Sequence, residues 1–249
     1  AQSDPRPHEG LEPRRDLRRQ FSGVRARLGR SCADQAGAGA IILKSIGAYT
    51  DDDLRPHDRR RYQWIKNYGT ALTSTFRKEI INFQRGINFI KAARESTNFP
   101  IIASIFHPYM AQEKDILVWK DLAKAAVEAG AHAIQLDFFY LNLRKLDQQQ
   151  IHFLTQSIED IAKAINTPLF LKLNIFMDED LIFSFCKSDK VAGYIFNDSI
   201  NVEPLIDIDT RSPLYDGVLY GPVDGRSASV VAGMPLLPFT FSTTLRLHK

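Results

Sequence analysis

Four of five short apolar runs in this chain finish on a residue able to ionise or to donate a hydrogen bond. The run ends are Lys44-Ser45, Phe106-His107, Asp137, Lys172 with Asn174, and Asn197-Asp198. Lys44 and Lys172 each follow three apolar residues. A lysine on a buried strand is costly unless paired, because desolvation disfavours its charged form. Each is therefore expected to have a partner or a ligand. An amine in such a place can stabilise negative charge that develops on a bound group, or attack a carbonyl. The plainer reading is that these polar side chains mark where each strand reaches solvent.

The elements that would position them follow from periodicity. The runs 40–44, 100–106, 133–137, 168–173 and 191–197 are rich in Ile, Leu, Val or Phe, and none alternates cleanly with polar residues. Such runs suit strands buried on both faces of a parallel sheet. Between them lie stripes at spacings of three and four: Ile80, Phe83, Ile87 and Ile90; then Ile116, Trp119, Leu122, Ala123 and Val127; then Ile151, Leu154, Ile158, Ile161 and Ile165. Those spacings are helical. Strand and helix alternate, which implies right-handed βαβ units. Near copies Ala36-Gly37-Ala38-Gly39-Ala40-Ile41 and Ala129-Gly130-Ala131-His132-Ala133-Ile134 each join a helix to a strand. Glycine past a helix end accepts the left-handed backbone that stops it, and Asn166-Thr167-Pro168 is read as the same stop.

The expected fold is α/β, a TIM (β/α) barrel, incomplete at the N-terminal first strand and at the C-terminal last strands. Residues 1–35 read as an irregular Arg-rich segment, 36–227 as the barrel and 228–249 as a divergent C-terminal tail. Five strands are clear, and the run 235–242 is a candidate for one more. A gap in the sheet would expose strand edges that need a cover or a partner.

Composition narrows the function. At 249 residues, 44% hydrophobic and 24% charged, a soluble globular protein is the default. No apolar run reaches the length of a membrane span, and Cys32 and Cys186 have no metal or disulfide spacing, so a cytoplasmic setting is expected. Six histidines without HExxH or HxH spacing give metal catalysis little support. A net charge of +3 is too small to argue for nucleic acid. Residues 1–30 hold eight arginines and no lysine, read as a solvated start rather than a basic arm. The stretch from Arg55 to Arg61, with Tyr62 and Trp64, is read as an exposed loop entering a helix rather than a stacking platform.

The ordered series of motifs resembles the dihydroorotate dehydrogenase family. Ala36 to Ser45, Pro100 to Phe106, Glu128 to Asp137, Pro168 to Leu173 and Gly193 to Asn197 look like its second to sixth strands. Gly217-Val-Leu-Tyr-Gly221-Pro-Val-Asp-Gly225-Arg looks like the glycine-rich segment that follows. The resemblance implies a flavoprotein oxidoreductase that binds FMN, acts on a CH–CH group and passes hydride between flavin and a small ring or acidic substrate. It implies flavin contacts from Lys44, Ser45, Asp137, Lys172, Asn197, Gly221 and Gly225, with Lys172 tuning the flavin. Substrate contacts would come from Lys44, Asn67, Asn142 and Asn197. A role in pyrimidine metabolism and a homodimer follow from the same source, with neither nucleic acid nor membrane as partner.

Three departures stand within it. Asp137 replaces an asparagine, and a carboxylate accepts but does not donate. Tyr140 occupies the place of the catalytic base, although phenols titrate at about pH 10. Pro222 stands where a second glycine would offer an N–H. Two alternatives stay open: a flavin-free Schiff-base lyase using Lys172, and a non-catalytic barrel remnant that acts by interaction.

Overall fold

The computed structural model describes residues 37–48, 62–65, 71–75, 81–97, 99–139, 141–174, 176–196, 200–202, 209, 211 and 229–247. The chain divides into Ala1–Ala38 and Gly39–Lys249, and every element below belongs to the second unit. In chain order these are β1 (Ile41–Ile42), β2 (Ile46–Gly47), β3 (Tyr62–Ile65), β4 (Ala71–Thr75), β5 (Ile81–Asn82) and α1 (Phe83–Ser96). There follow β6 (Ile101–Phe106), α2 (Glu113–Glu128), β7 (Ala133–Asp137), α3 (Gln148–Ile165), β8 (Leu169–Leu173), α4 (Glu179–Cys186) and β9 (Val191–Phe196). The last are β10 (Ile200–Val202), β11 (Ser229–Gly233) and α5 (Leu237–Leu247), which is entered through a 3₁₀ turn at Met234–Leu236.

The main sheet runs β5-β2-β6-β7-β8-β9, with β1 also paired to β6, and every pairing is parallel. From β6 to β8 each strand is followed by a helix and then by its own neighbour in the sheet, the arrangement of an incomplete (β/α) barrel. Among the described residues β5 and β9 end the path and do not pair with each other. A second sheet, β10-β11-β4-β3, is antiparallel throughout.

The three expected stripes are the buried faces of α1, α2 and α3. Ile87 and Ile90 are buried on α1, Ile116, Trp119, Leu122 and Ala123 on α2, and Ile151, Leu154, Ile158, Ile161 and Ile165 on α3. Each such side chain taken from water contributes roughly 1.5–3 kcal/mol. The starts are capped: Asn82 Oδ1 accepts the Arg85 N–H at 2.8 Å, and Asp147 and Gln150 exchange side-chain to backbone bonds at 2.8 and 2.9 Å. The stops are those expected. Gly130 has φ +104° while the Ala131 N–H bonds Ala126 O at 3.0 Å and its own N–H bonds Val127 O at 2.8 Å. Asn166 closes α3 in the left-handed region at φ 47°.

Two expectations are corrected, and one helix is added to those expected. The run 235–242 is not a strand but the 3₁₀ turn and first half of α5. Pro235 and Pro238 cannot donate to a strand ladder, whereas the first turn of a helix needs no N–H. Thr243 and Thr244 turn their hydroxyls back on Phe239 O and Thr240 O at 2.9 and 2.8 Å. Tyr62–Ile65 is a strand paired with β4, not a helix entry. Helix α4 had no expected stripe; its signal is local, with Asp178 accepting the Asp180 N–H at 3.0 Å and acidic Glu179 and Asp180 in its first turn. No helix among the described residues is long and apolar enough to cross a membrane.

Candidate active site

Facing residues in a parallel sheet share a side, so the register sorts the strands into two faces. Ser104 faces Gln135, Gln135 faces Phe170, and Asp137 faces Lys172. The other side carries Ala103, Ile105, Ile134, Leu136, Leu169 and Leu171, each no more than 1% exposed and part of one core with the helix stripes. Alternation is therefore present, contrary to the reading of runs without it. The polar residues of this face are buried as well: Ser45, Ser104, Gln135 and Asp137 are all between 1% and 8% exposed.

Buried polar atoms must find partners, and these find one another. The Gln135 amide donates to Ser104 Oγ at 2.7 Å, Ser104 Oγ lies 2.9 Å from Ser45 Oγ, and Ser45 donates to Asp137 Oδ2 at 2.6 Å. The Phe139 N–H donates to Asp137 Oδ1 at 3.2 Å. Lys172 Nζ lies 4.0 Å from that same Oδ1 and 5.2 Å from the centre of the Phe139 ring. The ammonium is thus held between a carboxylate and an aromatic face. The pair sits where strands β7 and β8 end, the position barrel enzymes use for chemistry.

Asn174, one residue past β8, is buried and organises the loop after β7. Its amide donates to Phe138 O, Phe139 O and Leu141 O at 3.4, 3.0 and 3.3 Å, and its oxygen accepts the Phe176 N–H at 2.9 Å. It does not mark an exit to solvent.

The structure thus brings Ser45, Asp137 and Lys172 together. Lys44, one residue before Ser45, is exposed, and Asn142 is exposed beyond Leu141. Tyr140, Asn197, Asp198, Asn67, Gly221 and Gly225 lie outside the described residues. His107 belongs to a different group: its Nε2 lies 3.9 Å from Asp115 Oδ1, and its ring meets Trp119 edge-on. Burial lowers its pKa, and the Asp115 carboxylate opposes that shift. Gln135 and Ser104 were missed. Their signal was a polar residue two places before a strand's last residue, in Ala-Ile-Gln-Leu-Asp and Ile-Ile-Ala-Ser-Ile-Phe. Among the described residues no group of three or more His, Cys, Asp or Glu could hold a metal ion.

No protein-family model and no curated protein matches the chain. Similar solved structures include the dihydrodipicolinate synthase of Acinetobacter baumannii complexed with pyruvate, at 15% identity and a TM-score of 0.43. They also include the dihydrodipicolinate synthase of Bacillus anthracis, at 13% and 0.43, and the N-acetylneuraminate lyase of Fusobacterium nucleatum, at 11% and 0.43. Each match covers 70% of this chain and 49% of the other, so the chain spans about half the length of these structures. At these identities the likeness is one of fold.

These matches are to synthases and a lyase, and they correct the resemblance to dihydroorotate dehydrogenases. The flavoprotein oxidoreductase, its FMN and its place in pyrimidine metabolism are withdrawn with it. Ser45 and Asp137, the residues expected to contact flavin, are hydrogen-bonded to each other.

Proposed function

We propose that this chain forms part of a flavin-free barrel enzyme that acts on a small carbonyl compound through a Schiff base on Lys172. One observation carries the reading. A lysine side chain 14% exposed ends an inner strand face, with its Nζ 4.0 Å from the carboxylate of Asp137, itself 1% exposed. Burial of a charged pair is costly, and chemistry is one reason a fold retains it.

The step balances without an oxidant or reductant. The Lys172 ammonium gives a proton to Asp137, and the free amine forms a C–N bond to the carbonyl carbon. The carbonyl oxygen takes up a proton from the nitrogen that has attacked, and the resulting hydroxyl leaves as water with the proton returned by Asp137. Ammonium and carbonyl thus become a protonated imine and one water. That imine draws electrons from a bond to the adjacent carbon, the property on which lyases of this type depend. The separation of 4.0 Å is that of an ion pair, and the substrate oxygen seated between the two groups would bridge it.

The test is reductive trapping. Purified protein is treated with borohydride and pyruvate, then with small aldehydes and other keto acids, and the Lys172 peptide is weighed by mass spectrometry. A covalent adduct on Lys172, lost in Lys172→Arg, is expected. No adduct with any carbonyl at any pH from 6 to 9, in about the range where enzymatic amines work, would sink the proposal. A second reading, an interaction module, is favoured by α5, which exposes Leu237, Phe239, Phe241 and Leu245 at 51–63%. It predicts no adduct and no consequence of Lys172→Arg.

A further inference from the structure

With Asp137 as an ionised carboxylate, which only accepts, counting hydrogens along the buried polar chain gives a single direction for each of its bonds. The Phe139 N–H and the Ser45 hydroxyl both point at Asp137. Ser45 has a single hydroxyl proton, so the bond between Ser45 and Ser104 must be made with the proton of Ser104. The Ser104 proton is then engaged, and Ser104 can only accept from its other neighbour, which is the amide nitrogen of Gln135. The reverse orientation of the Gln135 amide would require a second hydroxyl proton from Ser104. Amide, hydroxyl and hydroxyl therefore form one polarised series in which each donor strengthens the next, and the series ends on Oδ2 of Asp137. The last bond, at 2.6 Å, is short and lies within the range of a hydroxyl donating to a carboxylate.

We infer that Ser45, backed by Ser104 and Gln135, is a positioning residue that keeps Asp137 an ionised carboxylate with its Oδ1 turned toward Lys172. The inference deepens the Schiff-base reading and rests on it for its catalytic meaning. Asp137 can take a proton from Lys172 only if it starts without one. Among the groups that face it are the ammonium of Lys172 on β8 and the hydroxyl of Ser45 between β1 and β2, with Ser104 of β6 behind Ser45.

The experiment reads Asp137 directly. Full-length protein labelled with ¹³C at aspartate carboxyls is titrated by NMR, and the resonance lost in Asp137→Asn assigns the group. In the unsubstituted protein the resonance is expected to be that of a carboxylate at neutral pH. Ser45→Ala is expected to move its midpoint up by about one pH unit, since a hydrogen bond to a charged group is worth that much. Ser104→Ala is expected to move it the same way by less, and Ser45→Thr to restore it. A protonated Asp137 at neutral pH, or a midpoint unmoved by Ser45→Ala, would overturn the inference. No carbonyl compound is present, so this result stands whether or not Lys172 forms an adduct. Where it does, the rate of trapping in Ser45→Ala should show a displaced pH profile that Ser45→Thr corrects.

Discussion

Asp137 and Lys172 stand opposite each other as direct partners of the parallel strands β7 and β8, and their side chains meet as an ion pair on the inner face. Register alone imposes this. Residue 137 follows β7's buried Leu136 and residue 172 follows β8's buried Leu171, so once the two leucines pack on the outer side the charges must share the inner one.

Removing both members of this pair should therefore cost less than the two separate removals added together. Lys172→Met removes a positive charge 4.0 Å from a buried carboxylate and is expected to destabilise the fold by about 3 kcal/mol. The double variant Asp137→Asn with Lys172→Met should lose less than the sum of the two single changes. Urea unfolding of the four proteins checks this, and strict additivity would show that the pair is not coupled.

Asn174 should behave as a structural latch. Asn174→Ala removes the donor to three loop carbonyls and the acceptor for the Phe176 N–H. A loss of about 2 kcal/mol is expected, with faster proteolysis in the loop after β7. Asn174→Asp should be worse than alanine, because a carboxylate would face those carbonyls with no proton to give. Equal stability of the two variants would contradict the latch.

Gly86 tests how closely α1 lies on the sheet. A Cβ at that position would come within 2.5 Å of Ile46 Cγ2 and 2.6 Å of Cγ1. Gly86→Ala gains about 1 kcal/mol of helix propensity, but crowding a packed core costs about 1–3 kcal/mol. Net destabilisation is expected, whereas in an Ile46→Ala background the same Gly86→Ala change should stabilise relative to Ile46→Ala alone. Thermal unfolding of both variants decides it.

His132 should give the fold an acid-sensitive seam. Its Nδ1 accepts the Ile101 N–H at 3.0 Å at the start of β6, while Arg94 Nη1 lies 2.8 Å from Nε2. Burial, and then the Arg94 charge, lower its pKa. The unfolded chain thus binds this proton more readily than the folded one. The contribution is fully present above about pH 6.5, the ordinary histidine value, and is lost as the pH falls below it toward the lowered folded value. His132→Asn keeps an acceptor but does not titrate, so its stability should vary less between pH 7.5 and 5. Parallel slopes for the two proteins would refute the assignment.

Much of this was legible in the sequence because it is local. The stripes of α1 to α3, the stops at Gly130 and Asn166, and the five apolar runs depend on neighbours within a turn or a strand. Lys172 and Asp137 were legible as polar ends of those runs. The likeness to a flavin family was carried by motifs that many barrels share, and it did not survive the comparisons.

The chain by itself determined the strands β6 to β9, the helices α1 to α3 with their stops, and that ionisable groups would gather at strand ends. Only the tertiary structure decided who meets whom. Ser45 reaches Asp137 across 92 positions, and β11 pairs with β4 from the far end of the chain. Propensity and periodicity act over a few residues, whereas register is set by the packing of whole faces. A shift of one residue would send Gln135, Asp137 and Lys172 into the aliphatic core and the leucines into the site.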